Sequence, residues 1–275
     1  MTPADQDWLA ICRRAGNGVS AALERYPELA DRSVDEGRGQ GGDRTLVIDS
    51  AAEAAVFAEL EGLGVGLTAV SEERGQVPIA GGGPIHVVID PIDGSRNAKR
   101  QMPLHAVSIA VAEDDTMGGV AFGYVKDLGS GEEWWAERGE GAFLDGQRLP
   151  ELPQDGELEL LALEMIRPQH VVQTAEALAA TGAARLRAIG SVALSLCFVA
   201  AGRFDGLVTL AECRSVDAAA GQLIVREAGG AIAWPGAADD PLATKLDLGM
   251  RSRLIAAATP AFVDRLSPVG TDEPT

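Results

Sequence analysis

The stretch Asp90-Pro91-Ile92-Asp93-Gly94-Ser95-Arg96-Asn97 follows the apolar run 85–89 and precedes a polar, helix-permissive segment, so it reads as a strand that delivers two carboxylates to a turn. Asp90 and Asp93 stand three residues apart across a proline. A turn can aim both at one point, where without a partner they repel and where a divalent cation resolves the repulsion. Gly94 lets backbone come close to a ligand, and Ser95 places a hydroxyl where the free amides of a helix start would face an anion. Read alone, the same residues are equally a Pro-Gly turn with a capping aspartate. They lack the alternate-position acidic pattern of an EF-hand loop. The rest of the chain has to decide between the two.

At 275 residues the chain calls for one large or two intimately joined α/β units. Hydrophobic content of 46% with a formal net charge of −18 fits a soluble globular protein rather than a disordered or membrane one. That negative field argues against nucleic acid as a partner, and any phosphate bound here needs a cation first. Cys12, Cys197 and Cys213 are odd in number and widely spaced, which argues against a disulfide framework or zinc ribbon and points to a reducing cytoplasm. The opening Met-Thr-Pro-Ala-Asp-Gln-Asp has no basic start or apolar core and is not expected to be a secretory leader. The longest apolar stretch, 188–202, is closed by Arg187 and Arg203 and is too short to span a bilayer.

Residues 4–26 carry Trp8, Ile11, Cys12, Val19 and Leu23 at helical spacing. Within 35–43, Gly37, Gly39 and Gly42 spell G-x-G-x-x-G, but no apolar strand precedes them and a β-like 45–48 follows. A flexible loop is the expectation, not a dinucleotide site. Asp49 is expected at the N-cap of a helix over 51–60, with Glu53 one turn in. A strand over 67–70 ends in Ser71-Glu72-Glu73-Arg74-Gly75. Strands follow at 106–112, 118–125, 133–136 and 142–144, with Asp145-Gly146 as a hairpin turn. The N-terminal half, 1–150, is therefore helices followed by a meander. The C-terminal half, 151–275, alternates: strand 158–163, helix 168–180, strand 184–189, helix 191–201, strand 204–210, helix 216–228. A last strand at 255–257 and a short helix at 260–266 precede a polar tail. This is an α/β pattern with helices covering sheets, and with no repeat or linker the halves should pack as one unit.

Four acidic sites share one kind of position, a strand end or helix start: Asp49, Glu72, the Asp90/Asp93 pair, and Asp217 in Ser215-Val216-Asp217-Ala218-Ala219-Ala220-Gly221. Asp217 alone would read as a helix cap. Together these stretches resemble the inositol monophosphatase superfamily of magnesium-dependent phosphatases. Val88 through Asn97 looks like its first signature; Ser215 through Gly221 with Glu227-Ala228-Gly229-Gly230 looks like its second. Thr45 with Asp49 and Glu53, Ser71-Glu72-Glu73, Gly139-Glu140-Gly141-Ala142-Phe143 and Gly190-Ser191 fall in the family's order. Gly42-Asp43-Arg44-Thr45 and Glu72-Glu73-Arg74-Gly75 look most like the archaeal-type branch, whose members often act on fructose 1,6-bisphosphate as well as inositol phosphate.

The resemblance implies a layered αβαβα sandwich, a cytoplasmic homodimer, and two or three Mg2+ per active site. It makes Glu72, Asp90, the backbone carbonyl of Ile92, Asp93 and Asp217 metal ligands, with Asp49, Ser95 and Glu72 as the catalytic set. Asp49 and Ser95 match the residues that orient the attacking water. Asp93, Gly94 and Ser95 would hold the phosphate, and Ser191 and Glu212 would line the leaving-group side. Ser95 stands for a usual threonine and Ala98 for a usual aromatic, and the spacing from Glu212 to Asp217 differs from the animal enzymes. A bisphosphate also needs cations for its non-reacting phosphate. Arg214, three residues before Asp217, is expected at the pocket rim, whereas Arg96, Lys99 and Arg100 are equally a solvated helix face.

The implied activity is hydrolysis of small phosphorylated polyols or sugars by metal-activated water. A nucleotide 3′-phosphatase or a histidinol-phosphate phosphatase on the same scaffold is the alternative enzyme; a metal-stabilised binding or scaffold protein is the non-enzyme one. The partner is a small phosphorylated metabolite, with no nucleic acid and no membrane. No Walker A loop or G-x-S-x-G elbow is present, and His86, His105 and His170 form no zinc motif.

Overall fold

Strand His86–Asp93 lies inside an eight-stranded sheet whose order is Gln147–Arg148, Gly141–Leu144, Glu133–Glu137, Val120–Asp127, Ala106–Ala112, His86–Asp93, Leu67–Ser71 and Gly75–Ile79. It pairs in parallel with Leu67–Ser71 and antiparallel with Ala106–Ala112. The computed structural model describes residues 6–42, 44–235, 240–249 and 251–270. The readings of the leader and of Asp43, and the end of the polar tail, lie outside the described residues.

Both faces of this sheet are covered, which is why its strands are apolar at successive positions rather than at alternate ones. On one face, helices Trp8–Glu24 and Val47–Gly62 pack Trp8, Ile11, Val19, Val56, Phe57 and Leu60 against Val87, Ile89 and Ile109. On the other, Val70, Val88, Ala110 and Trp134 meet helices Val192–Ala200 and Ser215–Glu227. Those two helices also cover the second sheet, ordered Arg185–Arg187, Leu160–Glu164, Gly206–Thr209, Ile255–Ala257 and Ala231–Ala233. Helices Ala175–Ala180 and Pro260–Gly270 close its outer side. The layers are therefore αβαβα, as expected.

Helix Val192–Ala200 is apolar almost all round because it is buried on both sides, and its partner Ser215–Glu227 buries its middle, 218–225, while its polar residues lie mainly at the two ends. Small residues set its depth. A Cβ on Gly123 would lie 2.7 Å from the Ala220 carbonyl oxygen, and one on Gly221 would lie 2.5 Å from Leu196. The Ala218-Ala219-Ala220-Gly221 run thus lets the Asp217 helix settle onto the large sheet and its partner helix at once.

Several boundaries differ from the sequence reading. The flexible loop expected over 35–43 contains strand Asp35–Arg38, paired antiparallel with Arg44–Leu46, so Thr45 and Leu46 are strand but Val47 and Ile48 already helix. The helix begins at Val47, not 51, with Leu46 as N-cap and Asp49 at N3. The expected helix 168–180 is two short ones, Pro168–Gln173 and Ala175–Ala180, broken at Thr174. Strand Gly75–Ile79 was not anticipated because Pro78 removes a ladder amide; it is tolerated at this edge of the sheet. Leu144 pairs with Gln147 across Asp145-Gly146, both at positive φ (49° and 77°), as a two-residue hairpin turn requires.

Candidate active site

Residues three apart in a regular strand point to opposite faces. Asp90 and Asp93 avoid this through a β-bulge: Asp90 opposes Ser108 and Asp93 opposes Ala106, so three steps on one strand match two on the other. The extra residue returns both carboxylates to one face. The Asp90 carboxylate accepts from the Ile92 amide at 3.0 Å, which closes the bulge. Gly94 follows at φ 85°, where an added Cβ would lie 3.0 Å from the Leu104 carbonyl and 3.1 Å from that of Gly190. Ser95 then starts the short helix Ser95–Lys99.

Asp49 and Asp217 arrive by a shared device. Each occupies N3 of its helix and turns its carboxylate back to the N-cap amide, of Leu46 at 2.8 Å and of Arg214 at 2.6 Å. An acceptor there satisfies an orphan helix amide and complements the helix dipole. Asp49 has one oxygen left over: its Oδ1 is buried without a hydrogen-bond partner.

Glu72 sits just past the end of strand Leu67–Ser71. The corner after it is fixed by Glu53, a buried helix residue whose carboxylate takes the Ser71 hydroxyl, the Arg74 amide at 3.2 Å and the Arg74 guanidinium at 3.0 Å. From above, Gly41 donates its amide to the Glu72 carbonyl at 2.8 Å and Gln40 to that of Glu73 at 3.1 Å, while the Thr45 hydroxyl meets the Glu73 carboxylate. Residues 40–41 and Thr45, beside the paired strands Asp35–Arg38 and Arg44–Leu46, thus lie across the Glu72 corner. A Cβ on Gly41 would fall 2.1 Å from the Arg214 guanidinium, so any larger residue there would have to displace Arg214 from Glu72.

Arg214 is not at an exposed rim. It is buried, and its guanidinium contacts the Glu72 carboxylate at 2.6 Å. Ser191 caps helix Val192–Ala200 and donates its hydroxyl to Asp93 at 2.6 Å, where the Ala193 amide also arrives at 2.6 Å. Ile92 lies buried within the bulge. Glu212 is exposed in the link before strand Cys213–Arg214, and Arg96 and Arg100 are exposed on their helix while Lys99 is half-buried.

The electrostatics join these side chains into one basin. Burial, then the charges of Asp217, Glu73, Asp49 and Asp93, pushes the Glu72 carboxyl well above its ordinary range. Burial, then Glu72, Asp93, Asp217 and Asp49, does the same to Asp90. Asp93 is pushed up to about 7, chiefly by burial and then by Asp217, with the Ser191 hydroxyl and two amides pulling the other way. Asp49 also reaches about 7, by burial first, opposed by the Leu46 amide and reinforced by Glu73. Among the described residues no three acidic, histidine or cysteine side chains close into a finished cage. The carboxylates lie near enough for each to raise its neighbours, and Arg214 compensates Glu72.

These shifts fix a pH dependence of stability. A carboxyl whose pKa is raised on folding holds its proton in the folded state while the unfolded chain has lost it, so stability falls as pH rises through that interval. For Asp49 and Asp93 the interval runs from 3.8 to about 7, and for Glu164, also buried, from 4.5 to about 7. Asp115 and Glu132, held low by Lys245 and Arg203, act in the opposite sense only below the ordinary carboxylate range. The metal-free protein is therefore expected to melt at a falling temperature from about pH 4.5 to about pH 7. A melting temperature that rose across this window would contradict the buried, repelling carboxylates.

Two further polar residues of the site escaped the sequence reading. Asn97 donates to the carbonyls of Leu104 and Ile189, both at 2.7 Å. Its place in the quoted stretch was the available signal. Glu164, the last residue of strand Leu160–Glu164, is buried and binds the 189–190 turn. A charge ending an apolar strand was its only mark.

The model of the inositol monophosphatase family matches residues 5–267, and the chain belongs to that family. It is 34% identical over 235 residues to a fructose-1,6-bisphosphatase/inositol-1-monophosphatase of Methanothermobacter thermautotrophicus, covering 82% of this chain and 83% of the relative. It is 33% identical over 227 residues to the Nus factor SuhB of Escherichia coli K12, covering 80% of each. Among solved structures, an inositol monophosphatase-fructose 1,6 bisphosphatase superposes with a TM-score of 0.83 at 25% identity, covering 96% of this chain and all of that one. The fold is that of inositol monophosphatases, and the family is one of generally metal-dependent phosphatases. Among the described residues no helix is long and apolar enough to cross a membrane.

Proposed function

We propose that this protein is a magnesium-dependent phosphomonoesterase acting on small phosphorylated polyols or sugars, with inositol 1-phosphate and fructose 1,6-bisphosphate as substrates. The observation that carries the reading is the basin itself: Glu72 from one strand end, Asp90 and Asp93 from the bulged strand His86–Asp93 and Asp217 from a helix start stand, half-buried or buried, in mutual repulsion. Oxygen-only donors of this kind suit magnesium. The orphaned Asp49 Oδ1 supports the same reading, because a buried carboxylate oxygen without a donor is costly unless a ligand or water meets it.

Glu72, Asp90, the Ile92 carbonyl, Asp93 and Asp217 would hold the metal. When bound, magnesium supplies Lewis acidity and lowers the pKa of a water. Asp49 and the Ser95 hydroxyl would orient that water, the amides of Gly94 and Ser95 would hold the phosphate, and Ser191 and Glu212 would face the leaving group. A second copy would complete a homodimer, which sedimentation would test. The test of the function is phosphate release from both substrates, and from nucleotide 3′-phosphates and histidinol phosphate, with magnesium and with chelator. No release from any of them in magnesium would end the phosphatase reading.

Arg214 bears on substrate choice. Its guanidinium compensates Glu72, a contact that a second phosphate could replace once a metal neutralises that carboxylate. Arg214→Ala is expected to lower kcat/KM for the bisphosphate by about 1.5–3 kcal/mol relative to inositol 1-phosphate, the range for a hydrogen bond to a charged group. Equal losses on both substrates would assign Arg214 to the support of Glu72 alone.

A further inference from the structure

Two polar side chains, buried Glu164 and half-buried Asn97, hold the amides and a carbonyl of the 189–190 turn. Glu164 accepts from the Ile189 amide at 3.1 Å and from the Gly190 amide at 3.0 Å, and it takes the Ser195 hydroxyl at 2.8 Å. Asn97 donates to the Ile189 carbonyl at 2.7 Å. The turn cannot move without breaking one set. It is also tightly seated: a Cβ on Gly190 would lie 3.0 Å from Asn97, and Gly94 already packs beneath the Gly190 carbonyl. The next residue is Ser191, whose hydroxyl and following helix amide hold one oxygen of Asp93.

We infer that Glu164 is a positioning residue for Asp93, acting through the Gly190-Ser191 turn to fix which oxygen of Asp93 faces the carboxylate basin. The inference rests on the reading of Asp93 as a metal ligand. Glu164 touches neither Asp90 nor Asp93. Its carboxylate spends its hydrogen bonds on the turn and on the first turns of helix Val192–Ala200, so, apart from a charge repulsion with Asp93 that the charge-neutral Ser195→Ala leaves in place, its hold on the basin passes through Ser191. A group that accepts two successive amides and a hydroxyl must present acceptors to all three. In Glu164→Gln one acceptor becomes a donor. Whichever way the amide turns, an N–H then faces the Gly190 amide or the Ile189 amide and Ser195 hydroxyl. The turn must shift, and Ser191 with it.

The test reads metal binding without turnover: metal-free protein is titrated with Mn2+, following the paramagnetic resonance signal of the free ion. Glu164→Gln is expected to weaken Mn2+ binding roughly 10–100-fold, the usual effect of losing a group that orients a metal ligand. Ser191→Ala, which cuts the next link, is expected to weaken it as well, and adding Glu164→Gln to Ser191→Ala should cost little more, because coupled residues are not additive. A residue that served stability alone would lower the melting temperature and leave Mn2+ affinity unchanged. Ser195→Ala removes only one hydroxyl from the same carboxylate and should give a smaller loss in the same direction, which decides the matter should Glu164→Gln fail to fold. Wild-type affinity in a folded Glu164 or Ser195 variant, or full additivity with Ser191→Ala, would overturn the inference. Failure of the wild type itself to bind Mn2+ would instead remove the metal-centre reading and this inference with it.

Discussion

Asp93→Asn is expected to remove magnesium-dependent phosphate release, by more than about 10²-fold, since even the groups that merely orient metal ligands are worth about 10–100-fold. The variant keeps the shape of the side chain and an acceptor that the Ser191 hydroxyl and Ala193 amide can use, so the turn at 191–193 has no steric reason to move. It loses the anionic charge that, with Glu72, Asp90 and Asp217, makes the basin attractive to a divalent ion. Two readouts separate the causes. Mg2+ dependence of activity should move to higher concentration or vanish. The metal-free variant should melt no lower than wild type above pH 7, because a buried carboxylate repelled by Asp217 has been replaced by a neutral group. Near-normal turnover and metal binding in this variant would sink the assignment of Asp93.

Much of the architecture was legible because its strands and helices are decided locally. Gly118 to Val125 was off by two residues, yet the meander from Ala106 to Leu144 and its Asp145-Gly146 turn stand as read. The elements that went unread are those decided by position in the sheet or by long-range pairing. Gly75–Ile79 exists as a strand because the sheet edge tolerates Pro78, and Asp35–Arg38 because it pairs with Arg44–Leu46. Asp35–Arg38 carries no alternating apolar signal, and in Gly75–Ile79 the alternation of Val77 and Ile79 is short and interrupted by Pro78.

The site shows the same division. Asp49, Glu72, Asp90, Asp93 and Asp217 could be picked out by their recurrence at element ends, but what holds them could not. Asp49 and Asp217 looked like possible helix caps, and both do cap their helices, from N3 rather than N-cap. Capping and presentation to the basin are compatible because a carboxylate has two oxygens. Arg214 was expected at the rim from its spacing to Asp217, yet its partner, Glu72, is 142 residues away in sequence. The Glu164 and Asn97 clamp is likewise built from three distant segments and leaves no local pattern.

Asp49→Asn is the second large effect. One oxygen of Asp49 caps the helix through the Leu46 amide, and the other, Oδ1, is buried with no partner. Asparagine can keep its carbonyl oxygen on the Leu46 amide, so the cap and helix Val47–Gly62 should persist, but its NH2 would then occupy the Oδ1 position and could no longer accept a proton from water. Turnover at saturating magnesium is therefore expected to fall by about 10²–10⁴-fold, the usual contribution of a positioned proton acceptor. Ser95→Ala should lower turnover by the same route, and since its hydroxyl is proposed to orient the water rather than to bind the metal, Mn2+ affinity should change little. If both residues hold one water, Ser95→Ala added to Asp49→Asn should cost much less than it does alone. Measurement of kcat in this double-mutant cycle, with circular dichroism to check the helix, decides it. Independent, additive losses would mean that Asp49 and Ser95 serve different steps, and unchanged turnover in Asp49→Asn would leave the orphaned oxygen without a catalytic role.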